Sequence, residues 1–411
     1  MQDQHIANPE LPRVAVFFGG RSPEHDVSIV TGLQVLRSID TECYVPFPVY
    51  VAPDGRWWMG EILRDRQNYM LSPDSLKYCE EVTLDVRAQG RPALIPKKTR
   101  FWGRPEPVSF DIALPAFHGE HGENGHFQGL FEAASIPYAG PRALACSVFM
   151  DKIATKHVQV GLGIPALPYA VFHRPRDGGT YLDQSIIQER LGDLPFPLCV
   201  KPVHLGSSVG VAKAESPEDI QAVLSSIFRL DSQAIAEPFV SNLVEYNVSV
   251  ASWDGPVRTS AIERPKSTEE LLDFKQKYLS SDGKSGGTKA PGQSSEGMLS
   301  LSREIDPEID ADRESQIRDY AGRLFAALNG TGAPRIDFLC DSQSGELWLN
   351  EVNPIPGSFA YFLWEAAAEP LMFTELLSSM LAEARSVHAN TGIPPGQDPV
   401  PRDARLFKRH A

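Results

Sequence analysis

The segment 334–357, PRIDFLCDSQSGELWLNEVNPIPG, alternates apolar and polar residues on both sides of a polar turn. Alternation of this kind predicts a β-hairpin with one buried and one open face, because successive side chains of a strand point in opposite directions. With the turn centred on SQSG, Asp337 faces Glu351 and Arg335 faces Asn353 on the open face. The chain is therefore expected to build a sheet that carries two carboxylates, an amide and a guanidinium side by side.

This polar face is typical of a site for a hard cation. Carboxylate and amide oxygens, without a neighbouring Cys or His, suit Mg²⁺ or Mn²⁺, which also retain waters and bind substrate phosphates. Arg335 beside them would hold a phosphoryl oxygen through its fork of N–H donors. The alternative is a solvated hairpin face with two salt bridges. The irregular backbone imposed by NPIPG and the apolar residues of the opposite face favour the metal site.

A second motif, KPVHLGSSVG at 201–210, follows the apolar run FPLCV. Lys201 at the end of a strand would place one charge on a phosphate, and the Gly-Ser-Ser turn would cover phosphates with backbone N–H groups. The alternative is an ordinary hairpin with a surface lysine. The motif is neither a Walker loop nor a GxGxxG fingerprint, so the standard nucleotide motifs do not apply.

Three further candidates lie where strands end. Glu237 and Glu245 bracket a strand junction, where a carboxylate can accept hydrogen bonds from ribose hydroxyls or an adenine amine. Exposed glutamates without a function are the alternative. His118 follows a strand of a predicted open sheet, at the edge where ligands commonly bind. A structural histidine with satisfied hydrogen bonds is the alternative there.

Composition argues against several classes of protein. The net charge of −14 disfavours a general binder of nucleic acid or of anionic membranes, which needs excess Lys and Arg. No apolar run approaches the ~20 residues that span a bilayer, and the N-terminus lacks a charged-then-apolar signal pattern. The five cysteines form no CxxC pair, so neither a disulfide framework nor a zinc site is expected. A reducing cytoplasm is the predicted location.

A chain of 411 residues exceeds one ordinary core and predicts two or three domains. Alternating strand and helix signals over 1–140 predict a mostly parallel sheet, and short strands with few helices over 141–240 predict an α+β module. Residues 241–388 form the third predicted domain, with a Gly/Ser-rich lid over about 277–300. A loose Pro-rich tail is expected over 389–411.

Helical spacing predicts three helices that position candidate residues. One is capped by Ser22, with Pro23 as its first helical residue and Glu24 in its first turn. The other two are expected over 147–163 and over the apolar segment 359–384.

Seven motifs follow one another in order and cover most of residues 13–365. They are GGRSPEHDVS (19–28), HGEHGENGHFQGLFEAASIPYAG (118–140), MDKIATK (150–156), VKPVHLGSSVGV (200–211), KYLS (277–280), RIDF (335–338) and NEVNPIPG (350–357). In this order they resemble the D-alanine–D-alanine ligase family of the ATP-grasp superfamily. The resemblance implies a three-domain ATP-grasp fold, both α/β and α+β, with an N-terminal parallel-sheet (Rossmann-like) domain. It also implies that ATP binds between the central and C-terminal domains.

The resemblance implies roles for the residues around ATP. Lys152 and Lys201 would contact the phosphates, and Ser208 would lie near them. Glu237 would begin the hinge strand whose backbone reads adenine, and Glu245 would hold the ribose.

The resemblance also implies how the reaction is supported. Asp337, Glu351 and Asn353 match the ligands of Mg²⁺ or Mn²⁺, with two ions implied. Arg335 and the backbone of Gly357 would stabilise an oxyanion. The implied reaction joins two D-alanine molecules through an acyl phosphate and supplies peptidoglycan synthesis.

For the amino-acid substrates, the resemblance implies two neighbouring subsites. Glu24 would receive the ammonium group of the first D-alanine. Ser207 and Tyr278 would complete with it a hydrogen-bonded triad that closes the lid. Lys277 would hold the carboxylate of the second substrate, and His118 is placed among the substrate-binding residues.

The chain departs from the family pattern around the second substrate. LDFKQKY precedes the lid and GMLSLSREI follows it, where the family often has YDYxAKY and a Pro-Ala segment. Phe362 stands where a serine often helps to bind the second carboxylate. The first alternative is therefore a related ligase with D-Ser, D-lactate or another amino acid as acceptor, although Tyr278 favours an amino acid over D-lactate.

Two alternatives come from other classes. A catalytically silent ATP-binding regulatory protein would be expected to have lost at least one residue of the metal and phosphate set, which is intact here. An NAD-dependent dehydrogenase needs GxGxxG after the first strand, and GGRSPE does not provide it. The expected partners are small-molecule substrates, D-alanine above all, and a second copy of the chain, since the family commonly forms dimers. Nucleic acid and membranes are not expected partners.

Overall fold

The computed structural model describes residues 11–69, 75–87, 91–97, 106–206, 208–253, 255–266 and 303–391. Ser207 and the whole predicted lid, including Lys277 and Tyr278, lie outside these ranges, as does the predicted tail beyond residue 391.

Three sheets and the helices around them make up the described part of the chain. The strands are β1 Arg13–Gly19, β2 Val45–Val51, β3 Trp57–Met59, β4 Glu80–Leu84, β5 Ala93–Pro96, β6 Val108–Ser109, β7 Ile112–Pro115, β8 Ala170–His173, β9 Leu198–Pro202, β10 Ala212–Ala214, β11 Gln233–Pro238, β12 Leu243–Ala251, β13 Arg258–Pro265, β14 Arg303–Ile305, β15 Arg335–Asp341 and β16 Leu347–Asn353. The helices are α1 His25–Ser38, α2 His126–Ala133, α3 Ala143–Phe149, α4 Lys152–Gly161, α5 Gln184–Leu191, α6 Pro217–Ile227, α7 Ala311–Ala327, α8 Tyr361–Glu365 and α9 Phe373–Thr391. None of the helices in the described ranges is long and apolar enough to cross a membrane.

The N-terminal sheet has the strand order β6-β5-β4-β3-β2-β1-β7. Strand β1 runs parallel to β2 and β7, whereas β3 to β6 pair antiparallel. The prediction of a mostly parallel sheet is therefore wrong for the outer strands. The connection between β2 and β3 is a tight turn, in which Gly55 N–H donates to Ala52 O at 2.9 Å, and so short a connection permits only antiparallel pairing.

Strand β1 is buried on both faces, as expected for a strand inside a covered sheet. Val14, Val16 and Phe18 face a core that includes residues of α1 and of the distant helix α9. Ala15 and Phe17 face a second core that includes residues of α2. The end of the described chain thus returns to the first sheet, which holds the N-terminal and C-terminal parts of the protein together.

The central sheet has the order β10-β9-β11-β8 and is covered by α5 and α6. The predicted single helix over 147–163 is two helices, because Asp151 caps α4. Its side-chain Oδ1 accepts from the N–H groups of Ile153 and Ala154, each at 2.9 Å. Lys152 consequently stands at the first position of a new helix.

The C-terminal sheet has the order β14-β13-β12-β15-β16. The predicted hairpin register is confirmed: Arg335 is opposite Asn353 and Asp337 is opposite Glu351. A register shift follows Asp337. The apolar face of this hairpin is buried against α7, so the polar face is directed away from that helix.

Two further helix predictions need correction. Helix α1 begins at His25, and Glu24 occupies its cap position, because Pro23 and Glu24 form a turn in which Ser22 Oγ accepts from Glu24 N–H at 3.1 Å. The predicted helix 359–384 is interrupted between α8 and α9, where Pro370 lies. Helix α9 then extends to Thr391, so the first residues of the predicted tail are helical.

Candidate active site

A buried cluster of two lysines and one glutamate lies on the central sheet. Lys201 Nζ donates to Glu237 Oε2 at 2.6 Å, and Lys156 Nζ forms an ion pair with Glu237 Oε1. Burial alone would raise the pKa of Glu237, but the two ammonium groups outweigh it and lower that pKa. Burial would likewise lower the pKa of Lys201, but Glu237 outweighs it and raises that pKa. Both groups are therefore charged, and their mutual attraction compensates for burial.

The structure corrects the predicted place of Glu237. It lies at the end of β11 rather than at the start of a strand, and residues 239–242 connect β11 to β12. Its carboxylate is turned inward onto the two lysines. Lys156 escaped the sequence analysis, although it lies four residues after Lys152 and hence on the same face of α4, which was the available signal.

Both predicted phosphate lysines reach the last strand of the C-terminal sheet. Lys201 Nζ donates to Asn350 Oδ1 at 2.8 Å. Lys152 Nζ donates to the carbonyl oxygen of Leu205 at 2.8 Å and lies 3.3 Å from Glu351 Oε2. Burial would raise the pKa of Glu351, but Lys152 and Lys201 outweigh it and lower that pKa. Charged groups from two domains thus converge on β16.

The polar face of the hairpin is organised around Asp337. Arg335 donates from Nε to Asp337 Oδ1 and from Nη2 to Asp337 Oδ2, each at 2.7 Å. Asn353 Nδ2 donates to Asp337 Oδ2 at 2.9 Å. Burial raises the pKa of Asp337, and the carboxylates of Glu351 and Glu263 add to this effect, although Arg335 opposes it. The structure therefore brings all four sequence-predicted residues of the hairpin together.

Three polar residues of the same face escaped the sequence analysis. Asn247 Nδ2 donates to Glu263 Oε1 at 2.8 Å, and Arg303 Nη1 donates to Glu263 Oε2 at 2.9 Å. Asn247 is opposite Asp337 across the β12–β15 pair. The alternation that revealed Asp337 also places Asn247 on this face, two residues after Glu245, so the signal was present in the sequence. Burial raises the pKa of Glu245, and Asp337 and Glu351 add to it.

This face suits a divalent cation. Four carboxylates crowd it: Glu245, Glu263, Asp337 and Glu351. Burial, together with the neighbouring carboxylates, raises the pKa values of Glu245 and Asp337. A divalent ion would supply positive charge that offsets both effects. Within the described ranges, no three His, Cys, Asp or Glu residues are arranged to hold a metal ion by themselves. An ion here would need oxygens from a phosphate or from water as well, which is how Mg²⁺ usually binds.

Glu24 lies where the N-terminal domain meets the loop after β9. A Cβ added to Gly206 would lie 3.4 Å from Glu24 Oε2, and one added to Gly119 would lie 2.7 Å from the same atom. The loop between β9 and Ser208 therefore lies next to Glu24 at Gly206. The family resemblance implied such a position for Ser207. The bond from Ser207 to Glu24 lies outside the described residues and stays a prediction.

His118 lies beneath the site and is buried. Its Nε2 is 2.7 Å from Thr31 Oγ1, which also accepts from the N–H of Ser358 at 3.2 Å. The neighbouring Glu123 accepts from the N–H of Ile355 at 2.9 Å. These contacts attach the segment after β16 to the N-terminal domain. They favour the structural alternative for His118, and its substrate-binding role stays a prediction.

The segment after β16 is strained. Ser358, Phe359 and Ala360 have φ angles of +51°, +55° and +48°, in the left-handed region that costs ordinary residues about 1–2 kcal/mol each. Gly357 just before them is exposed, and a Cβ there would meet no atom within 4 Å. The strained turn therefore presents the backbone of Gly357 to open space beside the polar face.

Burial of His118 predicts a loss of stability in acid. Burial lowers the pKa of His118 to about 4, from an ordinary value of 6.5. Between these values the unfolded chain binds a proton that the folded chain does not, so the free energy of unfolding falls as the pH drops from about 6.5 to 4. Urea titrations at pH 7 and pH 4 measure this change in the free energy of unfolding. Between these two pH values, we expect the free energy of unfolding of wild type to fall by about 3 kcal/mol more than that of His118→Gln. Equal losses in the two proteins would contradict a neutral, buried His118.

Two family models and many known proteins match most of this chain. The family model for the D-ala D-ala ligase N-terminus matches residues 13–141, and the model for the D-ala D-ala ligase C-terminus matches residues 158–382. D-alanine–D-alanine ligase A of Bradyrhizobium diazoefficiens is 30% identical over 92% of this chain and 95% of its own length. D-alanine–D-alanine ligase of Heliobacterium modesticaldum is 32% identical over 90% of this chain and 93% of its own.

Solved structures share the fold. The D-alanine–D-alanine ligase from Coxiella burnetii matches with a TM-score of 0.71 and 23% identity, covering 93% of this chain and 96% of that one. The VanG D-Ala:D-Ser ligase from Enterococcus faecalis matches with a TM-score of 0.70 and 24% identity, covering 91% of this chain and 100% of that one. This likeness confirms the predicted fold class. The two structures are named for different acceptors.

Proposed function

The chain belongs to the D-alanine–D-alanine ligase family of ATP-dependent ligases, and we propose that it joins two D-alanine molecules into D-alanyl-D-alanine for peptidoglycan synthesis. The observation that carries the proposal is the convergence of Lys152 and Lys201 on strand β16. Two lysines from the central domain meet Asn350 and Glu351 of the C-terminal domain. A polyphosphate between the two domains would be bound by both lysines at once.

Nucleotide binding follows from this arrangement. Lys152 and Lys201 would neutralise phosphate oxygens, and the turn at Ser208 would cover them with backbone N–H groups. Glu237 would hold Lys201 and Lys156 in place, while the backbone of 239–242 reads adenine. Glu245, at the start of β12, would accept from the ribose hydroxyls.

The reaction begins when a carboxylate oxygen of the first D-alanine attacks the γ-phosphorus of ATP. The bond from this phosphorus to the β–γ bridging oxygen breaks, ADP leaves, and an acyl phosphate forms. The amine of the second D-alanine attacks the acyl carbon and loses a proton, and the tetrahedral intermediate expels inorganic phosphate. The protein contributes mainly by positioning the reactants and by neutralising charge.

The divalent metal ions that the family uses would lie on the polar face of the hairpin. Asp337, Glu351 and Asn353 would hold them, and we propose two ions, Mg²⁺ or Mn²⁺. Such ions supply positive charge to the phosphoryl group in transfer. Arg335, fixed in the plane of the Asp337 carboxylate, and the N–H of Gly357 would donate to the oxyanion of the tetrahedral intermediate.

The amino-acid subsites adjoin the loop after β9. Glu24 would bind the ammonium group of the first D-alanine, with Ser207 and Tyr278 completing a triad with it, and Lys277 would bind the second carboxylate. The acceptor is the part of the proposal that most needs a test. Phe362, at the place of a family serine, lies with its ring 4.6 Å from the guanidinium of Arg303.

We further propose a cytoplasmic homodimer. All five cysteines are free thiols, which suits a reducing compartment. The dimer is inferred from the family, and light scattering after gel filtration would test it: a mass near 90 kDa is expected, twice the 45.2 kDa chain. A mass near 45 kDa at micromolar concentration would contradict the dimer.

The activity is tested by phosphate release from Mg–ATP with purified protein and single amino acids. We expect D-alanine alone to give one D-alanyl-D-alanine per phosphate. D-alanine paired with D-Ser, D-lactate or L-amino acids is expected to add little mixed product. A mixed product formed faster than D-alanyl-D-alanine would reassign the acceptor. Nucleotide binding without turnover on the whole panel would instead support a silent regulatory protein.

A further inference from the structure

His204 lies between two carboxylates that belong to different elements. Its Nδ1 is 2.9 Å from Asp231 Oδ1, and its Nε2 is 3.5 Å from Asp151 Oδ2. The backbone N–H of His204 also donates to Asp231 Oδ2 at 2.8 Å. Both ring nitrogens thus face acceptors, which only the protonated imidazolium satisfies. The pKa of His204 is accordingly raised to about 10, by its hydrogen bonds to Asp151 and Asp231.

The two carboxylates are themselves fixed to α4, which carries Lys152, and to β11, which carries the Glu237 partner of Lys201. Asp151 caps α4, which begins with Lys152. Asp231 accepts from the N–H of Gln233, the first residue of β11, and that strand ends beside the Glu237 partner of Lys201. His204 therefore cross-links the start of α4 to the start of β11.

The backbone around His204 reinforces this cross-link. Lys152 N–H donates to Val203 O at 3.4 Å, and Lys152 Nζ donates to Leu205 O at 2.8 Å. The chain then passes through Gly206, beside Glu24, to the turn at Ser208. His204 is the last side chain of this loop with ion-pair contacts before the Gly-Ser-Ser turn.

A cleft of about 470 Å³ opens beside this cluster, lined by His204, Asp151, Asp231, Arg174, Glu120 and His126, among others. Asp231 is buried, whereas His204 and Asp151 keep about a third of their side-chain surface exposed. Without a cation between them, the two carboxylates would repel each other across the loop. The cluster is thus built to hold one positive charge at this point.

We propose that His204 is a positioning residue for ATP, which holds the loop segment 203–206 beside the phosphates and aims Lys152 at them through Asp151. The inference rests on the proposed function, because it takes the loop and Lys152 to bind ATP. His204 itself does not touch the reacting atoms. Its removal is expected to weaken nucleotide binding more than binding of D-alanine.

The test compares His204→Asn, which is neutral, with His204→Arg, which restores charge and donors. Calorimetry with Mg²⁺ and a non-hydrolysable ATP analogue, without amino acid, measures nucleotide affinity independently of the acceptor. We expect His204→Asn to bind the analogue about 10-fold more weakly and to raise KM for ATP equally, with KM for D-alanine within twofold of wild type. His204→Arg is expected to recover most of the affinity. His173→Asn, in β8 of the same sheet, is the matched control and should bind like wild type.

Analogue affinity within twofold of wild type in His204→Asn would overturn the proposal, as would an equal loss in the Asn and Arg variants. If His204→Asn does not fold, Asp151→Asn decides, since asparagine keeps the helix cap and removes only the charge. An analogue affinity about 5-fold weaker is expected there, and wild-type affinity would overturn the proposal. Wild-type protein that binds the analogue but makes no dipeptide would overturn the proposed acceptor. The proposal for His204 could still be tested, because the calorimetry is done without amino acid. Wild-type protein that does not bind the analogue would overturn both.

Discussion

The Glu351→Gln variant is expected to lose dipeptide synthesis by about 10³-fold in kcat while it keeps its fold. Glutamine has the shape of glutamate but no charge, so the variant removes an oxygen anion from the proposed metal site without making a cavity. It also leaves Lys152 without the carboxylate that lies 3.3 Å from its ammonium group. Both losses act on the phosphoryl group in transfer. The measurement is phosphate release with saturating D-alanine and ATP, beside a thermal melt.

The matched control for this variant is Glu346→Gln. Glu346 is exposed in the turn of the same hairpin and takes part in a local hydrogen bond with Ser344 Oγ at 3.3 Å. Its replacement is expected to leave kcat within twofold of wild type. Should Glu351→Gln retain more than a tenth of the wild-type kcat, the polar face of the hairpin is not the site of phosphoryl transfer.

The Glu237→Gln variant is expected to show the largest loss of stability, about 3–5 kcal/mol in the free energy of unfolding. Glu237 is the shared partner of Lys156 and Lys201, and all three are buried. Glutamine at this position leaves the two buried lysines close together without the carboxylate that they share. Urea titration at pH 7 measures the effect, and nucleotide affinity is expected to fall with it.

Lys201→Met separates stability from activity in this cluster. Glu237 then keeps Lys156 as a one-to-one partner, so we expect a smaller loss of stability than in Glu237→Gln. Activity is still expected to fall by at least 100-fold, because Lys201 is one of the two lysines proposed to bind the phosphates of ATP. A Glu237→Gln protein as stable as wild type would contradict the charged state assigned to Glu237 and Lys201.

The hairpin shows what a sequence can predict about a site. Strict alternation around SQSG determined the pairing of Asp337 with Glu351, because a register slip would have exposed the apolar face. The structure confirms that register. The same rule applied to β12 would have added Asn247 to the site. Alternation within a strand therefore predicts directly on which face of a sheet each side chain lies.

Other features depend on contacts that no local pattern records. Lys201 and Asn350 are 149 residues apart in the chain and meet through domain packing. Helix α9 covers the N-terminal sheet, although the sequence associates it with the C-terminal domain. The antiparallel strands β4 and β5 of that sheet were missed because residues 61–107 are polar and give weak periodicity. The ion pairs of His204 were missed because Asp151 and Asp231 lie 53 and 27 residues away from it in sequence.

We propose that the first D-alanine is activated as an acyl phosphate on the polar face of the β15–β16 hairpin. The most direct measurement uses D-alanine labelled with ¹⁸O in its carboxylate, followed by mass analysis of the phosphate and nucleotide released. We expect one ¹⁸O atom in each inorganic phosphate, with ADP unlabelled, because the attacking carboxylate oxygen leaves with the phosphoryl group. Unlabelled phosphate, or AMP carrying the label, would contradict it.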